Sequence, residues 1–420
     1  MNICALATGR GGAIAVIRLS GPQSVDIISH LTNKDLSNAK GYTIHYCNLS
    51  DIDDVLISVF RAPHSYTGED CIEIACHASN YIINKILQLL IETGCRQAGP
   101  GEFTQRAFMN GKIDLSQAEA VADVIASQNA ATHRIAINQL RGRFSGELAT
   151  LREHLLHLTS LLELELDFSD HEELEFADRT ELTALLDRIL SHINQLASSF
   201  RLGNALKEGV PVAIIGAPNV GKSTLLNALL GEDKAIVSEI QGTTRDLIED
   251  TLTIGDITFR FIDTAGIRHT DDRIEQLGIE RSRKAAEKAQ IIILMNEPGI
   301  EFPIIQARPE QTLIKITNKS DTFQAINGLG LEELKQQLLS AVPISNDDQF
   351  IVTNIRHYEA LQKAAEALTS VKQGLLQDIP NDLLAEDLRL TLSHLAEITG
   401  GKITPTEVLS NIFQHFCVGK

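Results

Sequence analysis

The sequence predicts a multidomain fold that combines α/β domains with an all-α helical bundle. Short apolar runs typical of buried strands alternate with helical stretches in residues 1–112 and again in 206–340. Residues 113–205 contain many helix formers and few Gly or Pro, and a helical pattern returns in 341–420. We therefore expect a domain with a mostly parallel sheet, residues 206–340, inserted between two helical halves that pack together.

Local patterns predict the elements of the first domain. The apolar runs 13–19 and 55–60 predict strands, and residues 80–93 predict an amphipathic helix. Gly and Pro between positions 94 and 101 indicate a loop. Residues 1–112 are therefore expected to form an α/β domain.

The helical halves show apolar residues at helical spacing. In the first half, Leu155, Leu158 and Leu162 recur on one face, and the same period continues through Glu165 and Phe168. In the second half, one face carries Leu361, Ala364, Ala365 and Leu368. Such faces predict that each helix buries one side in a bundle.

Size, charge and cysteine content limit the class of protein. A chain of 420 residues is long enough for two to four domains with sizeable cores. The net charge of −18 and the lack of a basic segment argue against a general nucleic-acid binder. Six cysteines without metal-ligand spacing fit a reducing compartment. With no signal peptide and no apolar stretch of membrane-spanning length, we expect a soluble cytoplasmic protein without a membrane partner.

Residues 216–223 read Gly-Ala-Pro-Asn-Val-Gly-Lys-Ser and match the phosphate-binding pattern G-x-x-x-x-G-K-[ST] without a mismatch. An apolar run precedes the octet and a helical stretch follows it, as the motif requires. A chance match in a Gly-rich loop is the alternative, but strand, loop and helix would all have to coincide. Lys222 is expected to reach the terminal phosphates, and Ser223 to bind Mg²⁺.

Two further motifs predict which nucleotide binds. Asp263-Thr-Ala-Gly266 and Asn318-Lys-Ser-Asp321 each follow an apolar strand-like run. Asp321 can accept two hydrogen bonds from guanine, and adenine lacks that donor pair, so GTP is the expected ligand. The predicted nucleotide-binding residues are Asn219, Val220, Gly221, Lys222, Ser223, Thr224, Asp263, Thr264, Ala265, Gly266, Asn318, Lys319 and Asp321.

One region conflicts with this expectation. Consecutive parallel strands need a crossover of about a dozen residues or more, usually a helix. Between Met295 and Thr312 the sequence offers a short segment interrupted by three prolines. After Asp321 there is room for neither a helix nor a last strand before the next helical pattern. We therefore expect loop segments to be missing near 296–311 and 322–328, including the last loop that would contact guanine.

Several segments match one family from end to end. With the motif order and the insertion between helices, they make the chain resemble the MnmE (TrmE) family of bacterial tRNA-modification GTPases. The matching segments are residues 9–12 (Gly-Arg-Gly-Gly), 62–70 (Ala-Pro-His-Ser-Tyr-Thr-Gly-Glu-Asp), 100–108 (Pro-Gly-Glu-Phe-Thr-Gln-Arg-Ala-Phe), 112–115 (Lys-Ile-Asp-Leu), 117–119 (Gln-Ala-Glu) and 415–420 (His-Phe-Cys-Val-Gly-Lys).

The resemblance implies that GTP hydrolysis acts with a flavoprotein, MnmG, to install an aminomethyl-type group at carbon 5 of the wobble uridine of tRNA. A tetrahydrofolate derivative, 5-formyl- or 5,10-methylene-tetrahydrofolate, would supply the one-carbon unit, and FAD and NADH would belong to the partner. Residues 1–112 then resemble a folate domain that also forms a homodimer. The complex with MnmG is expected to be a heterotetramer or larger. The nitrogen donor, glycine or ammonium, stays open.

The catalytic residues of the GTPase are also implied by the resemblance. Ile267 stands where Ras-like enzymes carry a Gln that orients water, and an Ile cannot do so. The family pattern assigns this role to Glu275, and Arg268 is a second candidate catalytic residue. The residues alone leave open that Glu275 is one more solvated acid beside Asp271 and Asp272.

Two metal ions follow from the same resemblance. K⁺ is expected to supply the positive charge that an arginine finger supplies in other GTPases. Its site is expected to form when two nucleotide domains meet. Asn219 by its position alone is equally well a turn residue. The implied K⁺ ligands are Asn219, Ser238, Ile240 and Thr243, and the implied Mg²⁺ ligands are Ser223 and Thr244.

For folate, the family pattern points to Arg18, Glu73, Lys112 and Lys420. A carboxylate can pair with the N–H and amino groups of a pterin, and basic groups suit the glutamate tail. Alternatively, Arg18 and Glu73 are a pair of charges on neighbouring strands and Lys112 precedes a helix. Cys417 is a third candidate catalytic residue, either as a thiol nucleophile or as a residue of the folate pocket, and its role stays open.

A different class of function is a regulatory GTPase that acts in ribosome assembly without modification chemistry. A basic RNA-binding accessory domain would favour that alternative, and no predicted segment is basic. Tetrahydrofolate-dependent tRNA modification is therefore the preferred hypothesis.

Overall fold

The computed structural model describes residues 1–167, 179–231, 250–262, 284–342, 350–377 and 379–401, with 409, 412, 413, 416 and 419. They divide into two compact units. The first comprises Met1–Ala126, Ala136–Leu190 and Lys363–Lys420, and the second comprises Ser127–Ile135 and Ser191–Gln362. The domain boundaries inferred from the sequence at residues 112, 205 and 340 stay predictions, since the two units group the chain more coarsely.

The first unit contains a six-stranded sheet in the order β3-β4-β5-β2-β1-β6. Its neighbouring strands are antiparallel except for β1 and β6, which are parallel. The predicted strands at 13–19 and 55–60 correspond to β2 and β4. The strands are β1 (Ile3–Leu6), β2 (Ile14–Ser20), β3 (Thr43–Leu49), β4 (Asp53–Phe60), β5 (Cys71–His77) and β6 (Arg96–Gln97).

Helices α1 (Ser24–Leu31) and α2 (Asn80–Glu92) cover one face of this sheet, and α3 (Glu102–Met109) follows β6. On α2 the residues Ile83, Ile86 and Leu90 are buried, as the helical period requires. They pack into an apolar core with inward residues of β2, β4 and β5. Burial of these side chains is the main stabilising contribution to this part of the unit.

Alternation along the strands leaves the opposite face of β3 and β4 open. Ile44 and Tyr46 of β3 are 68% and 60% exposed, and Leu56 of β4 is 49% exposed. Tyr46 lies directly opposite Leu56, so the exposed apolar side chains form one patch. In the same face, Arg18 of β2 lies opposite Glu73 of β5.

Long helices make up the rest of the first unit and part of the second. The predicted apolar faces are confirmed at Leu155, Leu158 and Leu162 and at Leu361, Ala364 and Leu368, which are all fully buried. Ala365 is half-buried, and the side chains of Glu165 and Phe168 lie outside the described residues. Within the first unit, the helix Arg143–Asp167 packs against the helix Asn381–Thr399. In chain order the helices are α4 (Leu115–Ala126), α5 (Ala130–Leu140), α6 (Arg143–Asp167) and α7 (Arg179–Glu208), followed after the second sheet by two more.

The second unit contains a five-stranded sheet in the order β11-β10-β7-β9-β8. Neighbouring strands are parallel except for β8 and β9, which confirms the expectation of a mostly parallel sheet. The strands are β7 (Val210–Gly216), β8 (Asp250–Ile254), β9 (Ile257–Phe261), β10 (Ile291–Asn296) and β11 (Thr312–Thr317). The later helices of the chain are α8 (Lys222–Gly231), α9 (Leu331–Ser340), α10 (Ile355–Leu376) and α11 (Asn381–Thr399), the last of which packs on α6.

The connection between β10 and β11 contains no helix. Residues 297–311 cross from one parallel strand to its direct neighbour as an irregular segment. Phe302 and Ile305 pack against the apolar cluster beside β10, and the Gln311 amide donates to the carbonyls of Ala286 and Ala289, both at 2.7 Å. The prolines that exclude a helix here therefore do not prevent the crossover, because side-chain contacts hold the segment on the sheet.

Candidate functional site

The first candidate site lies at the carboxyl edge of the parallel strands in the second unit. β7 ends at Gly216, β10 at Asn296 and β11 at Thr317, and the register places Met295 beside Gly216 and Asn296 beside Thr317. Ligands of open α/β sheets bind at this edge. The octet 216–223 and the turn 318–321 meet there, although they are far apart in the sequence.

Two glycines of the octet are required by close packing. A Cβ on Gly216 would lie 2.5 Å from the carbonyl oxygen of Met295. Gly221 has φ +95°, and a Cβ there would lie 2.4 Å from the Asn318 amide nitrogen. Larger residues would push the loop away from the neighbouring strands, so these positions fix the loop between β7 and α8.

Lys222 begins α8, and its ammonium lies over the loop. Its Nζ donates to the carbonyls of Gly216 at 2.8 Å and Ala217 at 2.9 Å. Burial lowers the pKa of Lys222. A cation that is partly removed from water beside the first turn of a helix is suited to bind an anion. The free N–H groups at the start of the helix point toward the same anion and add to the attraction.

The turn after β11 is tied directly to the octet. Asn318 is 4% exposed, and both ends of its amide are used. Its Nδ2 donates to the Val220 carbonyl at 2.9 Å, and its Oδ1 accepts from the Ala325 N–H at 3.0 Å. In this arrangement Asn318 holds the octet 216–223 and the segment 322–330 together.

The segment 322–330 is short but ordered around this amide. Gln324 bridges to Leu329, and α9 follows at Leu331. The Ala325 N–H is therefore placed beside the Asn318–Asp321 turn. This contact forms although the connection is shorter than the sequence led us to expect. Asp321 itself is exposed at the end of the turn, where its carboxylate can accept hydrogen bonds from a base.

The remaining octet residues differ in exposure. Asn219 has φ +63° and is exposed, Val220 is buried, Ser223 is half-buried and Thr224 is exposed. Val220 anchors the loop in the core, while Asn219 and Ser223 present oxygen atoms of the type that K⁺ and Mg²⁺ bind. The residues present therefore fit the two ions at these positions.

Several predicted residues of this site lie outside the described residues. β9 ends at Phe261, and the N–H of Ile262 donates to Val212 at 3.0 Å, which directs the chain along β7 toward the same edge. The undescribed residues are Asp263, Thr264, Ala265, Gly266, Arg268 and Glu275, the ion ligands Ser238, Ile240, Thr243 and Thr244, and, near the C-terminus, Cys417 and Lys420.

The second candidate site lies in the first unit around Arg18 and Glu73. Arg18 Nε and Nη2 donate to Glu73 Oε1 at 3.0 and 2.8 Å. The guanidinium carbon lies 5.2 Å from the ring centre of Tyr66 and 5.6 Å from that of Phe103, a cation–π arrangement. Glu73 Oε2 accepts no hydrogen bond from any residue within the described ranges, so this oxygen stays available.

The C-terminal segment reaches the same place. The carbonyl of Gly419 accepts from Arg18 Nη1 at 3.3 Å, and Gly419 has φ +96°. A Cβ on Gly419 would lie 2.2 Å from the carbonyl oxygen of Leu6, so only glycine fits against β1. Phe413 and Phe416 of the same segment pack beside Gly101. Arg18, Glu73 and Gly419 are therefore brought together from three parts of the chain.

Lys112 is not part of this cluster of contacts. Its Nζ donates to the Pro63 carbonyl at 2.9 Å, and the residue is exposed before α4. The loop that contains Pro63 also carries Tyr66, whose hydroxyl shares a 2.7 Å hydrogen bond with Thr104. Burial raises the pKa of Tyr66, so the phenol keeps its proton.

The sequence reasoning missed several residues that complete the two sites. Tyr66, Phe103 and Gly419 stand inside the quoted family segments, but no pattern distinguished them from their neighbours. Glu297, which pairs with Lys319 at 2.6 Å, had no signal in the sequence. Contacts between residues distant in sequence reveal these four.

Within the described ranges, no three His, Cys, Asp or Glu side chains gather closely enough to hold a metal ion. No helix in the described part of the chain is long and apolar enough to cross a membrane.

Family comparisons cover nearly the whole chain. The family model described as the GTP-binding protein TrmE N-terminus matches residues 2–112, and the MnmE helical domain matches residues 115–417. Proteins named tRNA modification GTPase MnmE are similar over full length. The protein of Parabacteroides distasonis is 52% identical over 460 positions, covering 100% of both chains.

Other relatives carry the same name. The proteins of Bacteroides thetaiotaomicron and Flavobacterium psychrophilum are 50% and 48% identical, covering 100% of this chain and 99% of each relative. The alignment with the Parabacteroides protein has 460 positions for a chain of 420 residues, so at least 40 positions have no counterpart here.

Proposed function

This chain belongs to the MnmE family of tRNA modification GTPases, and on that premise we propose that it is a K⁺-dependent GTP hydrolase that modifies the wobble uridine of tRNA with a flavoprotein partner. The proposal of nucleotide binding rests on the Asn318 amide, which joins the octet 216–223 to the turn 318–321. A nucleotide with both a phosphate chain and a guanine base spans these two elements. We propose that residues 206–340 are the inserted nucleotide domain.

Nucleotide binding divides between the two elements. Lys222 and the first N–H groups of α8 bind the terminal phosphates, and the Asp321 carboxylate accepts from the guanine edge. Ser223 and Thr244 would hold Mg²⁺, which neutralises phosphate charge when bound. Asp263 and Gly266 complete the phosphate side of the proposal.

Hydrolysis rests on residues of the undescribed segment together with Asn219. Glu275 holds and activates the attacking water, and Arg268 assists it. Asn219, Ser238, Ile240 and Thr243 would hold K⁺, which supplies the positive charge that other GTPases take from an arginine. The exposed position and left-handed backbone of Asn219 support this role, because its side chain is free to turn toward the phosphates.

The first unit supports the proposal of a tetrahydrofolate site. Glu73 Oε2 would accept from the pterin, and Arg18 fixes Glu73 from the other side, held by two aromatic rings. Lys112 and Lys420 would face the acidic glutamate tail of the folate. Gly419 contacts Arg18, and we propose that Cys417, two residues earlier in the sequence, belongs to this site. The flavoprotein MnmG would bring FAD and NADH to the one-carbon chemistry.

The open face of the six-stranded sheet supports a homodimer. Ile44, Tyr46 and Leu56 expose large apolar side chains at adjacent positions. An apolar patch of this kind on a sheet face is typical of a surface covered by a protein partner. We propose a second copy of the chain as that partner, and the cytoplasm as the location of the complex.

The GTPase rate as a function of K⁺ concentration tests the hydrolytic part. We expect the rate to rise with K⁺ and to stay low in Na⁺. Glu275→Ala should keep GTP binding while the rate falls at least about a hundredfold, as for loss of a proton-transferring group. The matched variant Glu301→Ala removes an exposed acid of the same unit and should behave as wild type. Equal rates in Na⁺ and K⁺ would remove Asn219 from the proposal.

The tRNA part needs a separate measurement. Nucleoside analysis of tRNA from cells that lack the protein should show the loss of the carbon-5 modification at the wobble uridine. An unchanged modification in such cells would contradict the proposed role in tRNA. Calorimetry with 5-formyl-tetrahydrofolate, comparing wild type with Glu73→Gln, tests the folate site without any partner.

A further inference from the structure

Glu297 and Lys319 form an ion pair at the edge of the nucleotide site. Glu297 directly follows β10, and Lys319 is the second residue after β11. The distance from Lys319 Nζ to Glu297 Oε1 is 2.6 Å. Lys319 lies in the sequence between Asn318 and Asp321, the proposed guanine acceptor. The Asn318 amide is hydrogen-bonded to Val220 and Ala325. The pair therefore lies beside Asp321, at the edge of the proposed base position.

Both ends of the pair are attached to fixed backbone. The Asn296 amide donates to the Ile300 carbonyl at 2.6 Å, and the Ile300 N–H donates back to Glu297 at 3.0 Å, which closes the turn that carries Glu297. The N–H of Asn318 donates to Asn296 at 2.9 Å. These bonds link the turn after β10 to the turn after β11.

Lys319 is also constrained at its own backbone. It has φ +57°, the left-handed region that few residues other than glycine adopt. The next residue, Ser320, donates from Oγ to the Thr317 carbonyl at 2.7 Å, which closes the turn. With the backbone fixed and the ammonium held by Glu297, the alkyl part of Lys319 has little freedom left.

We propose that Glu297 is a positioning residue for the guanine site, which holds the ammonium of Lys319 so that its four-carbon stem forms an apolar wall against the base. A lysine stem can cover apolar surface while its charged end lies elsewhere. The Lys319 side chain is 59% exposed and Glu297 29%, so the stem has a free surface and the carboxylate is the more sheltered partner. This inference rests on the proposed nucleotide site.

The expected effect is moderate and specific to the base. Exposed ion pairs contribute about 1 kcal/mol at most, which corresponds to roughly a fivefold change in dissociation constant. Glu297→Gln should therefore raise the Kd for GDP by between about twofold and about fivefold. The kcat at saturating GTP should not change, since the pair does not reach the phosphates. The difference in Kd should shrink in high salt, because salt screens an exposed pair.

The experiment measures Kd by fluorescence titration with GDP and inosine diphosphate. Inosine lacks the amino group that Asp321 would accept from, but it has the same ring face. Glu297→Gln should weaken both ligands by the same factor. Asp321→Ala should weaken GDP more than inosine diphosphate, because inosine keeps the N1–H donor and lacks only the amino donor. The control Glu310→Gln breaks an exposed ion pair with Arg201 at the other end of β11 and should leave both values unchanged.

A double variant separates positioning from a general structural role. Lys319→Met keeps the apolar stem and removes the charge, so Glu297→Gln should add no further loss in that background. An added loss there, or a Kd within twofold of wild type in the single variant Glu297→Gln, would overturn the inference. If Asp321→Ala instead weakens GDP and inosine diphosphate equally, the proposed guanine site itself fails. The two ideas can therefore fail independently.

Discussion

Lys222, in the octet 216–223, combines a positive charge with partial burial. Its ammonium is held by two carbonyls of the loop, and burial lowers its pKa. A bound phosphate would replace these weak acceptors with full negative charge and so favour the charged lysine.

We expect Lys222→Ala to weaken GTP binding by up to about a hundredfold, since hydrogen bonds to charged groups are worth up to about 3 kcal/mol. Titration with a fluorescent GTP analogue measures this loss. Lys284→Ala, which removes an exposed lysine of the same unit, is the matched control and should bind as wild type. Retention of binding in Lys222→Ala would remove the octet from the nucleotide site.

Cys71 gives a pH-dependent contribution to stability at the same scale. Burial raises the pKa of this thiol to about 12, while its ordinary value is 9.0. As the pH rises above 9, the unfolded chain loses this proton first, so the free energy of unfolding falls. The expected loss from this group between pH 9 and pH 10 is about 1 kcal/mol.

Urea unfolding of wild type and Cys71→Ala at pH 8, 9 and 10 checks this expectation. Alanine lacks the titrating proton, so the variant should lose less stability on going from pH 9 to pH 10. Any cavity made by the substitution destabilises equally at all three pH values and cancels in the comparison. Parallel pH profiles for the two proteins would contradict the raised pKa.

At the scale of elements, two helical glycines with different surroundings test the packing of the helices: one is in close contact with another segment and the other has open space. Gly203 lies inside α7, where a Cβ would come 2.1 Å from the carbonyl oxygen of Val352. Gly146 lies inside α6, where a Cβ would meet no atom within 4 Å. The first glycine is required by a crossing chain, and the second is not.

We expect Gly203→Ala to lower the melting temperature and Gly146→Ala to raise it. Alanine favours a helix over glycine by about 1 kcal/mol, and only Gly146→Ala can gain this amount without a clash. Calorimetry on the two single variants measures both shifts. An equal rise in both variants would show that the segment around Val352 does not press on α7.

The crossover between β10 and β11 is an element that sequence rules did not anticipate. The prolines in residues 297–311 correctly excluded a helix, but the missing helix suggested a missing segment. The structure shows that irregular backbone is sufficient, because Phe302, Ile305 and Gln311 attach it to the sheet. Whether a segment can replace a helix depends on such contacts, which local propensity does not contain.

At the scale of the whole molecule, the open sheet face bears on the oligomeric state. Leu56 lies in the centre of the exposed apolar patch, opposite Tyr46 on one side and Ala75 on the other. If a second copy covers this face, a charge at position 56 would be buried without a partner, which costs several kcal/mol.

We therefore expect Leu56→Glu to convert the proposed dimer to a monomer at micromolar concentration. Light scattering after size-exclusion chromatography gives the mass directly. The control Leu383→Glu changes a leucine of α11 that is 57% exposed and lies outside the patch, and it should stay dimeric. A dimeric Leu56→Glu would place the interface on another surface.

The sequence by itself determined the features that depend on neighbouring residues. The octet 216–223, the turn 318–321 and the helical faces around Leu158 and Leu361 follow from spacing and backbone freedom within a few residues. Each was confirmed at the level of local structure, because steric limits and hydrophobic periods act over one or two turns of chain.

The tertiary structure alone decided which of these local features meet. It joined Asn318 to Val220, Lys319 to Glu297 and Arg18 to Gly419. Such contacts depend on strand order and on the path of irregular connections, which are set by how whole apolar faces pack rather than by any local pattern. The residue types that each candidate site needs can therefore be recognised in the sequence, whereas the contacts between them require the folded chain.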